Sequence, residues 1–231
     1  MMQQLLLNEY FTLTNDLVFK LVMTSLPHAL GKAESPTLVF SIDSETLESK
    51  DSIGIGLRVN DSLFLGAQPV TAWRTATLRT KDLACELMAA QSPAVKNIED
   101  LSPIVAVSFV QSKTSYPKKM TSRTLHLSDF GFITPFEDKI SMVIIPLPTE
   151  EEHFELPLSQ EDQWRWFIKE ARPHTLSSII KALFSQDPIF KALQQTLDFL
   201  SDQEAIRDLA ERRYRRMQEI MQIEEKAAMR A

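Results

Sequence analysis

Few side chains in this sequence are spaced for familiar enzyme chemistry. The four histidines, His28, His126, His153 and His174, are neither paired four residues apart nor set in an HExxH, so they do not make a zinc site. The single cysteine, Cys85, excludes an internal disulfide framework and a Cys-rich metal site. Within KDLACELMAA it reads as a small buried residue of a helix. Neither GxGxxG nor GxxxxGK[ST] occurs, so a Rossmann or P-loop nucleotide site has no support, and there is no GxSxG nucleophile elbow. What is left is scattered carboxylates, the ligand type that magnesium uses, and basic residues of the type that meets phosphate. The glycines are the other anomaly. Of five in the chain, Gly54, Gly56 and Gly66 fall in one stretch, GIGLRVNDSLFLGAQP at 54–69.

That stretch reads as a hairpin. Ile53, Ile55, Leu57 and Val59 alternate with Gly54, Gly56 and Arg58, Asn60-Asp61-Ser62 supplies turn chemistry, and SLFLGAQPV returns as far as Pro69. Glycine inside a strand marks a bulge or a close approach. Upstream, Thr14 or Asn15 caps a helix carrying Leu17, Val18, Leu21 and Val22, which Pro27 ends; TLVFSI is a short strand. Downstream, residues 73–90 form an amphipathic helix anchored by Leu78, Leu83, Leu87 and Met88, with Arg74, Arg79 and Lys81 as its basic members. PIVAVSFV (103–110) is a strand covered on both faces, TSRTLHLSD alternates, and KISMVIIPLP is a buried strand stopped by prolines. After residues 149–155 the pattern is helical: QEDQWRWFIKEA, LSSIIKALF, PIFKALQQTLDFL, then a Ser201–Glu204 capping box before a long charged helix. The class is α/β: a core over 1–150 and an all-helical region over 151–231 packed on it.

Several pieces carry a resemblance. NDLVFKLVM (15–23) is similar to an opening helix with an Asp-x-x-Phe-Lys signature. SPIVAVSFV (102–110), TLHLSD (124–129), ISMVIIPLP (140–148), QWRWFIKEA (163–171) and the tail LSDQEAIRDLAERRYRRMQE follow in matching order. Over nearly its whole length the chain resembles the Rpn family of recombination-promoting nucleases, putative transposases of the PD-(D/E)XK superfamily. The resemblance implies a restriction-endonuclease-like core, a mixed central sheet flanked by helices, whose hairpin carries an acid on strand one and an acid-x-Lys/Gln on strand two. Those carboxylates would hold Mg²⁺, which activates water and neutralises the scissile phosphate. The family hairpin reads Leu-Asp-Val and Ile-Glu-x-Gln; this chain has Ile55-Gly56-Leu57 and Leu65-Gly66-Ala67-Gln68. Both acid positions fall on Gly56 and Gly66, and only Gln68 of the trio survives. The expectation is a nuclease scaffold without its nuclease centre, with no cofactor, acting by binding DNA or a protein. One alternative is a Mg²⁺-dependent DNA endonuclease with relocated acids, drawn from Asp16, Asp51, Asp61 and Glu86. Asp61 sits at the far end of the hairpin from Gly56, and the helix dipole alone accounts for Asp16 in a first turn. The resemblance also places Arg74 near a phosphate backbone, with Arg79 and Lys81 on the same helix; a solvated helix face is the competing reading. A further alternative is a protein-interaction module without nucleic acid.

Composition bears on these choices. The net charge of −6 and pI near 5.3 argue against strong nonspecific binding to nucleic acid by the whole chain. No apolar run approaches the roughly 18 residues a membrane helix needs, and MMQQLLLNEYF lacks a basic n-region, so a cytoplasmic protein without a membrane partner is expected. Lys118, Lys119 and Arg123 are read as a polar hairpin turn, with contact to a nucleic-acid backbone as the alternative. Arg212, Arg213, Arg215 and Arg216 alternate with acids along the last helix, whose apolar seam of Ile206, Leu209, Met217 and Ile220 breaks near Arg213. That seam is expected on the chain's own body, with a partner or a second copy as the other option. Trp164, Trp166 and Phe167 are expected in the interior.

Overall fold

The computed structural model describes residues 7–24, 37–38, 55–59, 63–70, 73–91, 100–111, 122–125 and 139–228. Pro27, Asp51, Asp61, Lys118, Lys119 and His126 lie outside them. Asn15 caps α1 (Asp16–Met23) by accepting the Leu17 N–H at 3.1 Å, and Leu17, Val18, Phe19 and Val22 are buried along it.

Among the described residues, six strands form one mixed sheet: β1 (Thr37–Leu38), β2 (Ile55–Val59), β3 (Leu63–Val70), β4 (Ile104–Val110), β5 (Arg123–Leu125) and β6 (Ile140–Pro146), in the order β1-β2-β3-β4-β6-β5. The β2/β3 hairpin is antiparallel, as its turn chemistry requires, whereas β3, β4 and β6 run parallel. Parallel neighbours need a crossover, and α2 (Trp73–Gln91) supplies the one between β3 and β4. The strands with the near-continuous apolar runs, β4 and β6, are each paired on both sides, and β5 closes one edge antiparallel to β6.

Strand alternation divides the sheet into two faces. Gly56, Gly66, Ala106 and Met142 stand in register on the face under α2. Ile55, Ala67, Val107 and Val143 stand on the other, under α1 and the helices that follow the sheet. On α2 the buried residues are Ala76, Thr80, Leu83, Ala84, Leu87 and Gln91, one helical stripe. Leu78 and Cys85, expected inside, are exposed. They share the outward stripe with Asp82 and Ala89, so helical phase overrides their apolarity.

Four helices follow: α3 (Gln160–Glu170), α4 (Ser178–Gln186), α5 (Pro188–Ser201) and α6 (Glu204–Ala228). Ser159 and Asp162 make a reciprocal cap for α3, the Asp162 N–H to Ser159 Oγ at 3.1 Å and the Ser159 hydroxyl to Asp162 Oδ2 at 2.7 Å. Partial burial alone would raise the Asp162 pKa, but the hydrogen bonds from Ser159 and Arg165 and the Arg165 charge outweigh it and lower it. Arg165 also donates from Nε to the Pro146 carbonyl at 2.6 Å, tying α3 to the end of β6. Asp187 caps α5, and Pro188 opens it where no N–H is needed. The Ser201–Glu204 capping box does not form. Ser201 is the last residue of α5, and its hydroxyl donates to the Asp198 carbonyl at 2.7 Å, leaving the Gln203 carbonyl to receive the first N–H groups of α6.

The largest core joins Phe11, Phe19, Ile55, Phe109 and Ile145 to Phe167, Phe190 and Leu197. Phe167 and Phe190 lie 5.0 Å apart between ring centres, and Trp164 meets Phe190 edge-on at 5.1 Å. Of the three aromatic residues of α3, Trp166 and Phe167 are interior as expected, and Trp164 is partly buried against them.

Candidate functional site

The hairpin brings three of the expected positions together. Gly56 and Gly66 are direct partners across β2/β3, and Gln68 lies two residues further along β3, so all three share the face under α2. Each is buried. A Cβ at Gly66 would lie 2.7 Å from Leu87 Cδ1, 3.0 Å from Leu83 Cγ and 3.1 Å from Leu83 Cδ2. The glycine thus allows α2 to seat its leucines directly on the strand, which is a close approach of the kind a strand glycine marks.

Gln68 begins a buried polar chain. Its Nε2 donates to Ser108 Oγ at 3.1 Å, Ser108 Oγ stands 2.7 Å from Thr80 Oγ1, and Thr80 Oγ1 is 2.6 Å from the Ala76 carbonyl. Each hydroxyl has one proton. The consistent direction is Gln68 to Ser108, Ser108 to Thr80, and Thr80 to the carbonyl. At 3%, 0% and 0% exposure, Gln68, Ser108 and Thr80 need these partners, because an unpaired buried polar group is costly. The chain fixes how α2 sits over β3 and β4.

These residues do not fit a magnesium ion. Of Gly56, Gly66 and Gln68, two have no side chain, the third is a carboxamide engaged with Ser108, and leucines fill the space above Gly66. Magnesium wants oxygen ligands in near-octahedral array, with at least one or two carboxylates. Among the described residues no group of three or more His, Cys, Asp or Glu could hold a metal.

Asp16 is elsewhere. It lies on α1, which packs against the opposite face of the sheet, and its carboxylate is gripped by Arg213 of α6. Arg213 Nε donates to Oδ1 at 2.9 Å and Nη2 to Oδ2 at 2.7 Å, with both side chains 2% exposed. Beside it, Asn15 Nδ2 donates to the carbonyls of Tyr10 at 3.0 Å and Ala210 at 2.9 Å. On α2, Arg79, Lys81 and Glu86 are half-buried and engaged in interactions; the Arg74 side chain lies outside what is described. On α6, Arg215 pairs with Glu211, and Arg216 with Glu219 at 3.4 Å. The Asp16–Arg213 pair and the polar chain from Gln68 were not expected from the sequence. A signal for the pair existed: Arg213 breaks the seam at a position whose helical phase, with Ala210 and Met217, points inward.

Two tyrosines flank the grip on α6. Burial first, then the Glu211 charge with a smaller push from Asp208 and opposition from Arg207, raises Tyr10 above its ordinary 10.0. Burial, then the charge and hydrogen bond of Glu9, raises Tyr214. The folded state holds these protons more tightly than the unfolded chain does. Their contribution is therefore complete below pH 10.0 and is lost as pH climbs through the raised values. Tyrosinate absorbance in a pH titration is expected to show two tyrosines ionising above the free value, with α6 amides losing exchange protection in the same window. Midpoints at the free value would contradict this.

Among the described residues, no helix is long and apolar enough to cross a membrane. Comparison of the chain with family models, curated proteins and solved structures returns no match.

Proposed function

We propose that this chain is a restriction-endonuclease-like protein of the Rpn type that has given up metal-dependent cleavage and works in the cytoplasm by binding. One observation carries the reading. The two positions where the resemblance requires acids are paired glycines on one face of the hairpin, with Leu83 and Leu87 packed into the space over Gly66. The order of helix, hairpin, crossover helix and parallel strand supports the scaffold.

Between partners, the charges favour a protein. The net charge is −6, and the arginines 213, 215 and 216 on α6 each face a carboxylate of the same chain. Nonspecific DNA affinity comes mainly from free cations that displace counterions. The test is incubation with supercoiled plasmid in Mg²⁺ or Mn²⁺. No metal-dependent nicking is expected. Nicking abolished by Asp61→Ala or Asp16→Ala would instead establish the endonuclease with relocated acids. An electrophoretic shift of duplex DNA that falls steeply with salt would move the partner from protein to DNA.

A further inference from the structure

The attachment of α6 differs in kind from that of α3, α4 and α5. Among the described residues, the two core clusters under α2 take nothing from α6; the large core takes Ala210, with Ile206 packed partly buried against it, and Met217 is buried as well. Polar contacts supply much of the rest. Asn15 reaches the Ala210 carbonyl, Arg213 grips Asp16 with two hydrogen bonds, and the Tyr214 hydroxyl reaches Glu9 at 3.3 Å. Beyond Met217 the helix emerges from the body: Glu219, Gln222 and Ile223 are exposed.

A buried ion pair adds little net stability over an apolar pair of the same volume, but removing one partner strands a charge in a dry site. Such a contact specifies register and makes attachment depend on both members being present. Elements with little apolar burial also open locally, at a free energy below that of global unfolding. We infer that α6 is a latch that opens as a unit while the sheet and α3–α5 stay folded, and that Asp16 with Arg213 is its catch. Opening uncovers the first turn of α1 and turns Arg213 outward beside Arg212, Arg215 and Arg216. The latch therefore controls whether those surfaces can meet a partner. This goes beyond the binding role proposed above and does not need that reading to hold.

Native-state hydrogen exchange on the full chain tests it. In the wild type, amides of residues 204–217 are expected to exchange faster than those of β4 and β6. Asp16→Leu and Arg213→Met, each alone, should speed exchange of 204–217 by roughly a hundredfold or more, with β4 and β6 still exchanging more slowly than 204–217. The double variant strands no charge, so it should return to within roughly tenfold of the wild type. The inference is overturned if 204–217 exchange in step with β4 and β6, if a single variant unfolds the sheet, if the singles leave 204–217 unchanged, or if the double shows the summed effect of the singles.

Discussion

Gly66→Glu is expected to destabilise the whole sheet rather than build a metal site. The added Cβ alone would meet Leu87 Cδ1 at 2.7 Å and the branch carbon of Leu83 at 3.0 Å, so buried leucines at 0% and 2% exposure would have to shift. Overpacking of this kind costs about 1–3 kcal/mol. A carboxylate without a partner in that apolar layer adds several more, or holds its proton instead. Against a typical total of about 5–15 kcal/mol, the variant sits at the edge of folding. Urea denaturation should show a sharply lowered midpoint, with Gly66→Ala giving the steric part alone, about 1–3 kcal/mol. Adding Leu87→Ala to Gly66→Ala should cost less than the two changes summed, because the second removes the clash of the first. Added Mg²⁺ should not raise the midpoint of Gly66→Glu. A magnesium-dependent recovery would mean that the position can feed a metal centre, and would remove the observation on which the non-catalytic reading stands.

The same glycine shows where sequence reasoning was strong and where it stopped. The hairpin, the doubly covered strands and the capped α1 were legible because alternation, apolar runs and Asn15 are local signals. So was the interior position of Trp166 and Phe167, with Trp164 partly buried beside them. A close approach at Gly66 was one of the two readings a strand glycine offers, but which neighbour makes it was not legible. A motif comparison sees a missing acid there, whereas the folded chain shows two leucines arriving from a helix whose distance from the strand no local pattern encodes. Leu78 failed for a related reason. Its apolarity pointed inward, but the sheet-facing stripe of α2 is set by the small residues Ala76 and Ala84 with Leu83 and Leu87. Asp16 and Arg213 lie at opposite ends of the chain, and each alone reads as a surface charge. Their pairing is a tertiary fact, visible beforehand only as an arginine in the wrong phase of an apolar seam. The Ser201–Glu204 pattern was misleading because Ser201 had a nearer use, closing α5.

Phe167→Ala is expected to cost about 3–5 kcal/mol, and to weaken the sheet as much as the helices. Phe167 is fully buried, meeting Phe190 at 5.0 Å and Trp164 edge-on at 6.4 Å, and the cluster it belongs to includes Ile55 and Phe109 of the sheet and Phe11 and Phe19 before it. Truncation leaves a cavity in a layer shared by residues 1–150 and the helices of 160–201. Such a layer couples the two regions, since neither can unfold without exposing the apolar face of the other. Tryptophan fluorescence, dominated by Trp164 and Trp166 of α3, and hydrogen exchange at β4 should therefore report one transition in urea, shifted together in the variant. A fluorescence transition that moves alone, with β4 protection unchanged, would show the helices of 160–201 to be an independent domain resting on the sheet. It would also change where a partner must bind. With one cooperative unit, a partner gripping the helices stabilises the hairpin and its buried chain from Gln68; with two, it would not.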